Sequence, residues 1–164
     1  MTKHTYNQKK ERRLQRMFLI TKGFLLCTPI ICYFYITMTG WMQQTSFQEV
    51  LSQHPSMSVL FLISMLNPYI AYLLHLMQKK LQEGKESFVC INMVLLLIAQ
   101  LLTMNVFYFV MLLYVFYKAC DYYQIHIGDS LKKLTFTTSF VQGGGSMLIV
   151  MLSSICLFAT IQLM

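Results

Sequence analysis

The side chains able to do chemistry are few, and most fall outside the hydrophobic stretches. Asp121, His126 and Asp129 lie within nine residues of one another. Oxygen and imidazole donors of this kind suit a divalent cation, and Glu49 and His54 could add to the set from another polar connection. Solvated loops carry the same residues without binding anything, so the pattern alone assigns no metal. His75 is a titratable group inside a hydrophobic stretch, which makes it a functional candidate by default. No Asp, Glu or Arg is embedded beside it to form a pair, and this argues against a coupled pump or a voltage sensor.

Five cysteines are present, Cys27, Cys32, Cys90, Cys120 and Cys156, with no C-x-x-C among them. Their spacings match neither a redox motif nor a standard zinc site, so they read as reduced, buried, apolar side chains. Cys120 stands at an expected membrane edge. The run Gly143-Gly144-Gly145-Ser146 lacks the Lys-Ser/Thr that closes a phosphate loop. It reads instead as a packing or hinge element, as do Pro29 and Pro68. No nucleophile, base and orienter are legible as a set, and no H-E-x-x-H occurs. The chain therefore reads as a non-enzyme with no cofactor and no metal.

The amides and hydroxyls are more informative. Ser64, Asn67, Ala71 and His75 recur at three- and four-residue steps and share one helical stripe at ~100° per residue. Asn92, Ala99 and Thr103 share a face, with Gln100 beside them. An amide facing lipid is costly, so these stripes must face protein. They would either join helices by hydrogen bonds or line a polar path. Gly143, Ser146, Val150, Ser153 and Ser154 form a small-residue face that admits a close backbone neighbour.

The elements that position these groups follow from hydrophobicity. Of 164 residues, 56% are hydrophobic and 12% charged, against about 25% charged in a soluble domain. Residues 87–117 contain no Asp, Glu, Lys or Arg over 31 positions. About 20 apolar residues cross a hydrocarbon core of ~30 Å, so this stretch is long enough to span. Four spans are expected, at about 17–38, 57–77, 87–117 and 140–162. They would form an all-α integral membrane protein, an antiparallel bundle whose transmembrane domain covers 17–164. Residues 1–16 form a basic lead-in, with Lys9 to Arg16 able to lie as a helix on the membrane surface. A cleaved signal peptide is not indicated, because Tyr33, Phe34 and Tyr35 occupy the place of a small-x-small site.

Between the first two spans, Ser46-Phe47-Gln48-Glu49 fits a capping box. It opens a short interfacial helix ending near His54-Pro55, in the first outer loop, where Trp41 suits the headgroup level. Residues 78–86 make a tight polar turn at Gly84. Residues 118–133 read as a second outer connection. The N-terminal segment through Lys22 and the 78–86 loop carry ten Lys or Arg; the two other connections carry three. The positive-inside rule then places both termini in the cytoplasm, and a plasma-membrane location is expected.

The expected function is that of a small multi-pass, non-enzymatic subunit or regulator of a larger membrane complex, acting through helix–helix packing. The alternative is a small oligomeric transporter or channel, its path lined by Ser64, Asn67, His75, Asn92, Gln100 and Thr103. Partners are the lipid bilayer and a membrane protein or a second copy. The short basic run, with no fold signature beside it, does not indicate nucleic acid.

Overall fold

A computed structural model describes residues 2–123 and 136–163. Within them the chain forms six helices and no strand: α1 (Thr2–Gln43), α2 (Phe47–Gln53), α3 (Pro55–Gln82), α4 (Glu86–Leu102), α5 (Val106–Tyr123) and α6 (Phe136–Gln162). Helices satisfy their backbone polar groups internally, the condition an apolar solvent imposes. Glu11–Gln43, Pro55–Gln82 and Gly144–Gln162 are each long and apolar enough to cross a membrane.

The basic lead-in does not form a separate surface helix. It is continuous with the first apolar span, so α1 runs for 42 residues. Both α1 and α3 continue through their prolines. Beside Pro29, Thr28 Oγ1 donates to the Phe24 carbonyl at 3.0 Å, and the Tyr108 hydroxyl of α5 stands 2.5 Å from Thr28 Oγ1. The capping box on α2 forms as expected. The Glu49 N–H donates to Ser46 Oγ, and the Ser46 N–H donates to the Glu49 carboxylate at 2.7 Å. That bond, with a second from the Ser46 hydroxyl, holds the Glu49 carboxyl below its ordinary value. Val50 is fully buried against Cys32 and Ile36, which fixes α2 on the α1–α3 pair.

The third expected span is the main correction. Residues 87–117 do not form one helix; they break at Thr103–Asn105 and fold back as a hairpin of α4 and α5. Asn105 N–H donates to the Gln100 carbonyl and Met104 N–H to the Leu101 carbonyl, with Met104 at φ 53°. This six-to-one bond over a left-handed residue is the Schellman ending of a helix. It takes up the Gln100 and Leu101 carbonyls with main-chain donors, so the chain turns there without a glycine. α4 and α5 have 17 and 18 residues, roughly 26 Å and 27 Å at ~1.5 Å per residue.

Contacts fix the directions. α3 runs against α1, since Lys22 Nζ donates to Gln78 while Phe61 packs on Ile36 and Cys32 near the other end. α4 runs against α3, and α5 returns, bringing Tyr123 beside Leu14, Phe18 and Leu81. α6 again runs against α3: Gly145 meets Leu73, and Leu157 and Leu163 lie with Val59 and Ser56. Thus α1 and α6 share a direction, and α6 ends at the opposite end of the bundle from the start of α1. This corrects the expectation that the two chain ends lie together. The same return carries the start of the 118–133 segment to the end that holds the Gly84 turn.

Candidate functional site

The polar interior is built on α4. Asn67, Asn92 and Gln100 are each exposed by no more than 3%. Gln100 Nε2 donates to Asn67 Oδ1 at 3.3 Å, joining α4 to α3. Two turns earlier, Ser146 Oγ donates to Asn92 Oδ1 at 2.7 Å, joining α4 to α6. Asn92 also donates from Nδ2 to the Phe88 carbonyl at 2.8 Å. One helix thus holds two neighbours by amide side chains facing different partners. Such interhelical bonds are worth about 0.6 kcal/mol on average in a membrane protein. They set register and orientation more than stability.

The remaining expected residues divide. Ser64 and Ala71 are buried with Asn67, and Ser64 Oγ donates to its own helix at the Phe61 carbonyl. His75 is exposed. It lies about 80° around the helix from Asn67 at 100° per residue, on the edge of the stripe, while Leu74, Met77 and Leu81 carry the buried face onward. Thr103 is half-buried, and its hydroxyl bonds to the Ala99 and Gln100 carbonyls of its own helix, so it serves the turn.

In the glycine run, the tight contact belongs to Gly145. A Cβ there would meet Leu73 Cδ2 at 2.8 Å and the Tyr69 hydroxyl at 3.3 Å, whereas one at Gly144 would meet nothing within 4 Å. Gly143 falls within the α6 backbone, and its surroundings lie outside the described residues. The run stays helical, so packing rather than unwinding is its structural role. Ser153 is buried on the same face as Ser146, while Ser154 is exposed and bonds back to the Val150 carbonyl.

His126 and Asp129 lie outside the described residues. Asp121 sits at the end of α5 near Tyr123, whereas Glu49 and His54 belong to α2 and its C-terminus at the opposite end. Asp121 is therefore not brought to Glu49 and His54. Among the described residues no group of three His, Cys, Asp or Glu stands close enough to hold a metal ion.

Cavities also bear on a polar path. One of about 260 Å³ opens among Val59, Ile63, Leu102, Thr103, Met104 and Leu157, and neither Asn67 nor Gln100 lines it. Another, of about 220 Å³, lies between Tyr69, Tyr72, Asn92 and Gly145. The two share no lining residue. Three buried atoms among the described residues near this polar interior, Asn67 Nδ2, Gln100 Oε1 and Ser153 Oγ, make no hydrogen bond. The first two are a donor and an acceptor on the paired amides themselves, so that pair carries one of the two bonds it could form.

Outside this interior the surface is apolar. Leu19, Leu26, Ile31, Phe34, Met38 and Met42 on α1 are each more than half exposed, and α6 adds Met151, Ile155 and Phe158. Ordinary soluble monomers carry apolar patches of only a few hundred Å². The two ends differ in charge. All eleven Lys and Arg of the described residues fall in the first half of α1, around the Gly84 turn or on the last turns of α5. None falls at the end formed by α2, the Met104 turn and the close of α6. Lys118 thus joins the basic end, a signal hidden while 87–117 read as a single crossing.

What these features define is an all-helical bundle with apolar helices of membrane-crossing length. No family model, no curated protein and no solved structure matches the chain.

Proposed function

We propose that this chain is a multi-pass, non-enzymatic subunit or regulator that docks to another membrane protein through its apolar helix faces. The observation that carries the reading is the engagement of the amides. Asn67 pairs with Gln100 and Asn92 with Ser146, all within one chain, and each amide residue is buried. A transport path between protomers would need such groups open along a continuous cavity. Broad apolar faces are left for lipid and a partner.

The one-sided charge supports an orientation with the basic end cytoplasmic. The N-terminus is then inside, and the close of α6 is on the far side. In this arrangement α1, α3 and α6 cross, while α4 and α5 enter from the basic side and return to it.

Reconstitution of the purified chain alone in liposomes tests the function. The expected result is no solute or ion flux above that of protein-free vesicles. A photo-crosslinker at Phe34 in native membranes should trap a stoichiometric membrane protein. Flux from the lone chain, lost in Gln100→Leu, would establish the transporter reading instead.

A further inference from the structure

The geometry points to a binding surface for anionic phospholipid headgroups at the basic end, formed by Arg12, Arg13 and Arg16 of α1 with Lys79 and Lys85 flanking the Gly84 turn. Leu14 and Phe18 are buried and border Leu81 and Tyr123, so this part of α1 is fixed beside the turn. The three arginines between and beside those anchors are exposed. Arg12 and Arg16 are four residues apart and so share a helix face, with Arg13 one step around.

The two carboxylates nearest them in the sequence and at the turn, Glu11 and Glu83, are engaged elsewhere. Glu83 is taken by Lys80 at 2.8 Å and approached by Lys85 at 3.8 Å, and Glu11 accepts from Gln15. The positive charge is therefore available to an outside anion. Its height is also defined. One turn beyond Arg16 the surface becomes apolar, with Leu19 exposed by 67% and Ile20 by 53%. Guanidinium groups at the boundary between a charged and an apolar surface meet phosphates at the edge of hydrocarbon. Their planar donor sets match phosphate oxygens two at a time. Anionic lipid is concentrated in the cytoplasmic leaflet, the side that the orientation proposed above gives to this end.

The test uses tryptophan quenching by brominated lipid, with the full chain in phosphatidylcholine vesicles containing phosphatidylglycerol. Met17→Trp in a Trp41→Phe background reports on the basic end; native Trp41 reports on the other. At low salt, brominated phosphatidylglycerol should quench the tryptophan at 17 more strongly than brominated phosphatidylcholine at equal mole fraction, and Trp41 should show no such preference. Replacing all three arginines by Gln should remove the preference, at about fivefold in local enrichment per arginine. Replacement by Lys should retain part of it. Equal quenching by both lipids would overturn the proposal, as would a preference that survives the Gln variant or vanishes on adding inorganic phosphate at constant ionic strength. Because the proposal rests on membrane insertion, its failure must be separable from failure of that premise. A tryptophan at 17 quenched by neither lipid marks the second case.

Discussion

Gly84 and Met104 turn the chain at the two ends of α4 with one backbone device in two different settings. At the first, Lys85 N–H donates to the Lys80 carbonyl over a residue at φ 75°; at the second, Asn105 N–H donates to the Gln100 carbonyl over a residue at φ 53°. The surroundings are opposites. Lys79, Lys80, Glu83 and Lys85 ring the Gly84 turn, whereas Leu101, Leu102, Val106 and Phe107 ring the Met104 turn. Water can take any backbone group that the first turn leaves bare. The second must satisfy its own, because Met104 borders Val59 and Ile63, which lie one to two turns inside α3. The Met104 turn directs the apolar side chains of Met104 and Val106 outward, which suits an apolar surrounding.

The most disruptive way to separate the two settings is to place the same charge in both. Asp tolerates the left-handed region better than most residues, so strain alone does not set the two positions apart. Met104→Asp should destabilise the fold by about 3 kcal/mol, the scale for a carboxylate deep in a bilayer. Gly84→Asp should cost about 1 kcal/mol, from the loss of glycine's conformational freedom. Unfolding of both variants in bicelles measures the two. Equal losses would place the Met104 turn in water, and α4 and α5 would then be two complete crossings.

The contrast also explains which parts of the fold were legible in the residues. Gly84 between charged neighbours is an overt turn signal, and the α3–α4 joint lies where the sequence predicts it. The capping box at Ser46 and Glu49 is equally legible, because both hydrogen bonds depend on side chains at fixed spacing. The stripe of Ser64 and Asn67 follows from periodicity and is buried as expected. Met104 offers no such signal. It has no glycine's permissiveness, no charge flanks it, and the break depends on main-chain bonds available to any sequence. A single crossing over 87–117 has no such break, so it reverses the direction of every later element, and with it the placement of Lys118, Asp121 and the end of α6. Asn105, an amide off the α4 stripe and just before α5, is the residue that marks the place. Asn is favoured immediately before a helix start. His75 shows the second limit: helical spacing predicts a stripe, but the neighbours that cover it are set by tertiary packing.

A gentler pair of substitutions sharpens the likeness rather than the difference. At Met104 a left-handed backbone carries a side chain; at Gly84 it does not. Met104→Gly should relieve the Cβ strain and raise stability by up to about 1 kcal/mol, reduced by the greater flexibility of the unfolded chain. Gly84→Ala should lower it by about 1 kcal/mol. A Cβ at 84 would meet nothing within 4 Å, so the effect is conformational and not steric. The opposite signs, read from midpoints of thermal unfolding, test whether the two turns share one geometry. A loss at both positions would mean that Met104 contributes contacts outweighing its strain.

The smallest expected effect is a dependence on pH confined to the Gly84 turn. The hydrogen bond from Lys80 Nζ holds the Glu83 carboxyl below its ordinary value. A carboxyl depressed in the folded state stabilises the fold above its unfolded pKa, and that contribution is lost as pH falls through the folded value. Stability should therefore decline on acidification from just above pH 4 downward. Exposed ion pairs are weak and screened by salt, and the Glu83 side chain is 37% exposed. The decline should be slight, largest at low ionic strength and smaller in Glu83→Gln. Glu49 at the capping box titrates in the same direction, so the informative quantity is the difference between wild type and Glu83→Gln at each pH. The Met104 turn has no titratable neighbour among its own residues, Thr103 to Val106. If Glu83→Gln left the acid response unchanged, the Lys80–Glu83 contact would be irrelevant to holding the turn, and its closure would rest on the same backbone bonds that close the other.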